Sequence, residues 1–414
     1  MSVDFNDEYA RPKDKSTGFF VRGIIVGAFA VLLCVLTTLA ILIKVDVLTI
    51  TGNNDTDIVS KISKKLSVIR DGVYDFYFDE ADDEKIIDNV CKAYLASFQD
   101  KYTVYYDKEQ FADLKQSNDG SFVGIGVVVA KNEDGSMLVM QIWDNSPAYN
   151  AGVRAGDCIV SIDGKSVLDE TLDESTERMR GEAGTKVKMR VMREGNNGEL
   201  EFEMTRAVVE YETVGSMLLE DDIYYIEISQ FADTTVSHFR REYDRCIEAG
   251  AKGIIIDVRD NPGGTMPSVL EILDMLCPKG LLMYTEDKNG KRVNHNGKSD
   301  EEATIPMAVL VNGNSASAAE VFSGDLQDYG KAVIIGTKTF GKGIVQTVKS
   351  LGDGTGVKYT TSKYYTAKGQ DIHGNGVTPD VVIEYVQSDV PDEEYTYKDD
   401  NQVMKAIEVL KSRI

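Results

Sequence analysis

Three short stretches of the 414-residue chain hold groups that could cut an acyl bond. In Val309-Leu-Val-Asn-Gly-Asn-Ser-Ala-Ser-Ala-Ala-Glu320 an apolar strand reaches a Gly/Asn turn and then a helix start. Ser317 at that start could be a nucleophile, with the free N–H of Ala318 and the helix dipole turned to a developing oxyanion. Ser315 and Ser317 could equally be plain N-caps. In Asp257-Val-Arg-Asp-Asn-Pro-Gly-Gly264 a buried strand ends in a turn. Gly263 and Gly264 let the backbone approach a ligand there, and their N–H groups could form half of an oxyanion hole. By itself this pattern is also an ordinary glycine turn. In Gly336-Thr-Lys-Thr-Phe-Gly-Lys-Gly-Ile-Val-Gln346, an extended 342–347 would turn Lys342, Ile344 and Gln346 to one face. A lysine amine at its solution pKa of about 10.4 is a poor base at neutral pH. Burial would lower that value, and a glutamine could orient the neutral amine without adding charge. Lys338 is the rival position, and both lysines could simply be surface residues.

These groups need a scaffold of strands and helices. Ile223–Ser229, Gly253–Asp257, Ile305–Val311 and Val333–Gly336 read as strands, Thr235–Ala249 and Ala316–Tyr329 as helices. That alternation predicts an open α/β sheet flanked by helices. Upstream, 56–115 reads as helical, with stripes Ile58/Ile62/Leu66/Ile69 and Ile86/Val90/Tyr94/Phe98. A structural or oligomerising role suits that region better than a catalytic one. Gln402–Leu410 closes the chain as a short amphipathic helix after an acidic stretch.

Composition narrows the options. A net charge of −23 argues against a nucleic-acid partner, which would demand a basic footprint. Three His and five Cys form no ligand spacing, so neither a metal nor another cofactor is expected. Gly23–Ile43 is uncharged and almost wholly apolar, long enough to cross a bilayer. It reads as an uncleaved anchor rather than a core helix or signal peptide. Arg11, Lys13, Lys15 and Arg22 precede it and only Lys44 closely follows. The N-terminus is then cytoplasmic and the rest of the chain outside a cell membrane crossed once.

Residues 120–206 carry the loop Gly124-Ile-Gly-Val127, the run SPAYNAGVRAGDCIVSIDG and later RGEAGTKVKMRVMR, and resemble a PDZ domain. Backbone N–H groups of Gly124, Ile125, Gly126 and Val127 could hold a terminal carboxylate while a strand edge pairs with the peptide. From about residue 57 onward the chain resembles the carboxyl-terminal processing peptidases, or tail-specific proteases. FQDKYTVYYDKEQF, DVRDNPGG, VLVNGNSASAAE, GTKTFGKGIVQ and YYTAKGQDIHGNGVTPDVVIE carry that likeness, in the family's order. Ala319 and Ala367 stand where relatives often have Ser and Pro.

The resemblance implies a serine endopeptidase with Ser317 as nucleophile, Lys342 as general base and Gln346 supporting the lysine. It also implies an oxyanion hole from the Ala318 N–H and a turn glycine, Gly263, with Glu320 filling an acidic position of undefined role. Arg180 is the candidate PDZ arginine that links tail binding to the active state. Substrates would be proteins with free C-terminal tails, and a homodimer is expected. The expected layout is a cytoplasmic tail at 1–22, the anchor at 23–43, a helical region at 44–119 and the PDZ module at 120–206. A mixed-sheet α/β protease core at 207–388 and an acidic linker with a helix at 389–414 complete it. The alternatives are a catalytically silent, membrane-tethered PDZ receptor and a Ser-His-Asp hydrolase using His238 or His373. The latter lacks the G-x-S-x-G elbow.

Overall fold

The computed structural model describes residues 56–414 apart from 75, 78, 79, 301, 392 and 393. The expected anchor, Gly23–Ile43, lies outside the described residues. Among the described residues no helix is long and apolar enough to cross a membrane. The chain forms two compact units, Met1–Asp83 and Glu84–Ile414. In the first, a helix spans Thr56–Tyr74, and Ile58, Leu66 and Ile69 of the expected stripe are exposed.

The second unit is built on a six-stranded sheet. Its order is Val214–Leu218, Ile223–Ile228, Gly253–Asp257, Met307–Val311, Ala332–Gly336 and Val381–Val382. All pairs are parallel except the first. The three central strands, GIIID, MAVLV and AVIIG, are buried at every position, the continuous apolar runs that a sheet covered on both faces requires. Helices Thr235–Glu248, Met266–Leu276 and Ala318–Asp328 pack into the core cluster on one face. Helix Asn401–Lys411 packs Val403, Ala406, Ile407 and Leu410 into the other.

A second sheet, wholly antiparallel, was not expected from the sequence. Its backbone is the long strand Gly356–Thr366, which pairs with Val104–Tyr106, Leu281–Asp287 and Ile344–Ser350. The supposedly all-helical region thus contributes a strand, Val104–Tyr106, before its last helix, Lys108–Asp119.

The PDZ module is a sheet of Val127–Lys131, Met137–Ile142, Cys158–Ile162, Lys186–Met192 and Glu199–Thr205, with helix Leu172–Met179. It joins the core through a two-stranded ribbon, Ser121–Gly124 against Ala207–Glu210. Immediately outside the ribbon, Tyr211 N–H donates to the Gly120 carbonyl (3.2 Å).

Candidate active site

The three motifs meet because each follows the carboxyl end of one of three adjacent parallel strands. Such ends are where open α/β sheets place ligands. Gly253–Asp257 leads into the Asn261-Pro-Gly-Gly264 turn, Met307–Val311 into Ser317, and Ala332–Gly336 into Lys342. Side-chain bonds stitch the first two loops together. Ser315 Oγ donates to the Val258 carbonyl (2.7 Å), and Asp260 accepts from the Asn312 and Asn314 amides (3.0 and 2.8 Å).

Ser317 sits at φ 55, ψ −115, in a region a non-glycine residue seldom adopts. Other Ser and Thr side-chain caps, such as Ser146 and Thr265, are extended (φ −69, ψ 163 and φ −81, ψ 139). Ser317 is not held as they are. The group that closes the helix start is Glu320, fully buried and reaching back to accept the Ser317 N–H (2.8 Å). The same carboxylate accepts from Lys342 N–H (2.8 Å), Gly341 N–H (2.6 Å) and the Thr339 hydroxyl (2.6 Å). Its undefined role thereby acquires a physical content: one buried anion ties the Ser317 backbone to the Lys342 backbone. Tyr364, also buried, makes a second tie. Its hydroxyl lies 2.9 Å from the Ser317 carbonyl and 2.6 Å from the Lys342 carbonyl.

Ser317, Ala318, Lys342 and Gln346 line one cleft of about 430 Å³, with aliphatic walls that include Leu114, Met266 and Ile344. Lys338 is exposed and does not line it, and neither does the buried His238 nor the half-buried His373. Lys342 is half-buried, with its ammonium 5.2 Å from the centre of the Tyr102 ring. Burial pushes its pKa below the ordinary lysine value, and the positive charges of Lys358 and Lys101 push the same way against the opposing pull of Glu320.

Two details amend the expectations. The Gly263 N–H donates to Asn261 Oδ1 (2.8 Å), and Gly263 is buried against Ser317 and Ala318, where a Cβ would fall 2.7 Å from Ser317 Cβ. Gly263 therefore serves close packing. The neighbouring Gly264 lines the cleft instead, and among the described residues neither its N–H nor that of Ala318 has an acceptor. Gln346 faces the cleft, and one N–H of its amide donates to the Tyr102 carbonyl (2.7 Å), leaving its oxygen and its second N–H for Lys342. Tyr102 and Tyr364 are the residues that sequence reasoning passed over. Tyr102 lies within FQDKYTVYYDKEQF and Tyr364 opens YYTAKGQDIHGNGVTPDVVIE, the two available signals.

In the PDZ module, the Ile125 and Gly126 carbonyls turn inward to accept the Ala148 and Trp143 N–H groups (2.9 and 3.1 Å). Gly124 ends the ribbon, and Val127 begins a strand on the outer edge of the sheet. Arg180 closes helix Leu172–Met179, exposed, in a separate cavity of about 940 Å³ shared with Glu109, Asp113 and Phe122. It is thus away from the Ser317 cleft. Helix Lys108–Asp119 stands between the two, with Asp113 towards Arg180 and Leu114 and Asn118 towards the cleft.

Comparison with known proteins accords with this geometry. Residues 222–383 match the peptidase family S41 and 138–193 match a PDZ domain. The chain is 36% identical over 338 residues to the carboxy-terminal processing protease CtpA of Bacillus subtilis, covering 81% of this chain and 72% of that protein. It is 34% identical over 375 residues to a carboxy-terminal-processing protease of Bartonella bacilliformis, covering 88% and 82%. Among solved structures, the photosystem II D1 C-terminal processing protease aligns at 28% identity and a TM-score of 0.46, over 76% of this chain and 86% of that one.

Proposed function

The chain belongs to peptidase family S41, as a serine-type carboxy-terminal processing protease with a PDZ domain, and on that premise we propose that Ser317 is its nucleophile and Lys342 its general base. The observation that carries this reading is the double tie of Ser317 to Lys342 through Glu320 and Tyr364, at the mouth of an apolar cleft. Lys342, held below the usual lysine pKa, takes the Ser317 proton as Oγ attacks a peptide carbonyl. The oxyanion rests on the Ala318 and Gly264 N–H groups. Lys342 then gives the proton to the leaving amine, and water frees the acyl-enzyme. Gln346 holds the segment of Tyr102 against the lysine and offers its oxygen to the amine.

Substrate C-terminal tails dock on the open edge of strand Val127–Lys131, with the terminal carboxylate at Gly124–Val127. Gly23–Ile43 anchors the protein to the cell membrane with the catalytic part outside, and the exposed Ile58/Leu66/Ile69 stripe joins two copies. Ser317→Ala and Lys342→Ala are each expected to abolish peptide cleavage without unfolding. Lys342→Arg should fail equally, because arginine does not deprotonate. Near-wild-type turnover in any of the three sinks the assignment.

A further inference from the structure

We propose that Lys358 makes the cleft a carboxylate-reading subsite, so that the peptidase favours substrates presenting a carboxylate close to the scissile bond. The inference rests on the Ser317–Lys342 reading above and specifies its substrate class.

Lys358 lies on the long strand Gly356–Thr366, paired across to Val348 of Ile344–Ser350. Both line the same cleft as Ser317 and Lys342. The Lys358 side chain is half-buried, its ammonium 5.2 Å from the Tyr106 ring, and among the described residues no carboxylate lies within ion-pair distance of it. Other half-buried lysines do reach acids, Lys92 at Asp107 (2.9 Å) and Lys331 at Glu302 (2.6 Å). Here the neighbours are Val348 and the Tyr106 ring, and the other charged residue lining the cleft is Lys342. Lys358 is among those that lower the Lys342 pKa, so the fold keeps two ammonium groups in one cleft with no acid between them.

An unpaired cation in a partly dry cleft has a strong preference for an incoming anion, because charge-assisted hydrogen bonds gain as water is excluded. A bound peptide excludes water and can bring the carboxylate. Two sources share that chemistry: a Glu or Asp side chain near the cleavage point, and the free C-terminus of a short tail.

The test uses the full chain in detergent and peptides cleaved at one bond. A single Glu is moved through the flanking positions, each peptide paired with its Gln counterpart, and every peptide is made with a free and an amidated C-terminus. At one position Glu is expected to exceed Gln about five- to tenfold in kcat/KM, mostly through KM, with the ratio shrinking at high salt. Lys358→Gln abolishes the preference while the Gln peptide is still cut, Lys358→Arg keeps it, and Lys358→Glu turns it towards Lys. A preference carried by the free terminus rather than by Glu assigns the terminal carboxylate as the source. Equal rates across all Glu/Gln and acid/amide pairs in an active wild type overturn the subsite, as does a preference that survives Lys358→Gln. A wild type that cuts no peptide and takes no phosphonate label at Ser317 overturns the underlying reading instead.

Discussion

Glu320 is the residue on which the geometry turns. It sits fully buried, and four donors from two loops converge on its two oxygens. Glu320→Gln would set an NH2 group against some of those donors. The expected cost is about 2–3 kcal/mol of stability, because buried donors lose a charged acceptor. Chemical denaturation gives that figure, and steady-state kinetics should show kcat falling more than KM rises. Lys342 supplies a second prediction, from the direction of its pKa. Its folded value is depressed, so between that value and the unfolded value near 10.5 the unfolded chain binds more protons and stability climbs with pH. Below the folded pKa the penalty of holding the charged amine is complete. Lys342→Met should therefore be inactive yet more stable at neutral pH, with the gain fading as pH approaches the unfolded value in a thermal-melt series. Activity should follow the neutral amine, so kcat/KM should rise with pH through the lowered pKa. The charged groups acting on that pKa are Lys358, Lys101 and Glu320, and Lys358→Gln should move the rising limb to higher pH. At this scale the sequence was informative where chemistry is local. Ser317 and Lys342 carry chemistry that their residue types announce, whereas Tyr102 and Tyr364, though each also stands in a motif, act through contacts with distant segments. No spacing rule reveals a tyrosine whose hydroxyl bridges two carbonyls in separate loops.

Four of the six strands of the main sheet could be read to within two residues, because burial leaves long apolar runs, whereas the edge strands Val214–Leu218 and Val381–Val382 were missed. The antiparallel sheet could not be read in this way. Gly356–Thr366 reads GVKYTTSKYYT, with Lys, Thr and Ser where a half-buried strand would show clean alternation. Its partner Ile344–Ser350 is also interrupted by a register shift between Val345 and Gln346. That shift shows why an ideal extended 342–347 is only an approximation to the face that Lys342, Ile344 and Gln346 share. The turn Asn261–Gly264 carries a sharper expectation. Gly263 has φ 103, and an added Cβ would lie 2.7 Å from both the Ala316 carbonyl and Ser317 Cβ. Gly263→Ala should cost about 1–3 kcal/mol from backbone strain, before any steric displacement of Ser317. Phosphonate labelling should slow sharply in the fraction that remains folded. Among helices, Lys108–Asp119 borders both the Arg180 cavity and the Ser317 cleft. That placement was not legible in the sequence, because helical periodicity reports what a helix buries against, not what lies beyond it.

For the molecule as a whole, the PDZ module and the protease core are separate hydrophobic bodies, each with its own buried cluster. If tail binding gates the cleft, replacing 121–210 by a short glycine linker should change the rate on a peptide too short to reach the PDZ edge. An unchanged rate would show that the module only recruits substrate. The exposed stripe of Thr56–Tyr74 belongs to this scale too. Light scattering should give a dimer for residues 44–414, and Leu66→Glu should return it to monomer.

The ribbon at Ser121–Gly124 and Ala207–Glu210 has one more implication. The chain leaves the core and re-enters it at neighbouring points, where Gly120 and Tyr211 already share a hydrogen bond. Such a doorway makes the reading head interchangeable. A different tail-recognition cassette grafted between these two residues would meet the same cutting edge, so new clientele could be acquired without rebuilding the blade.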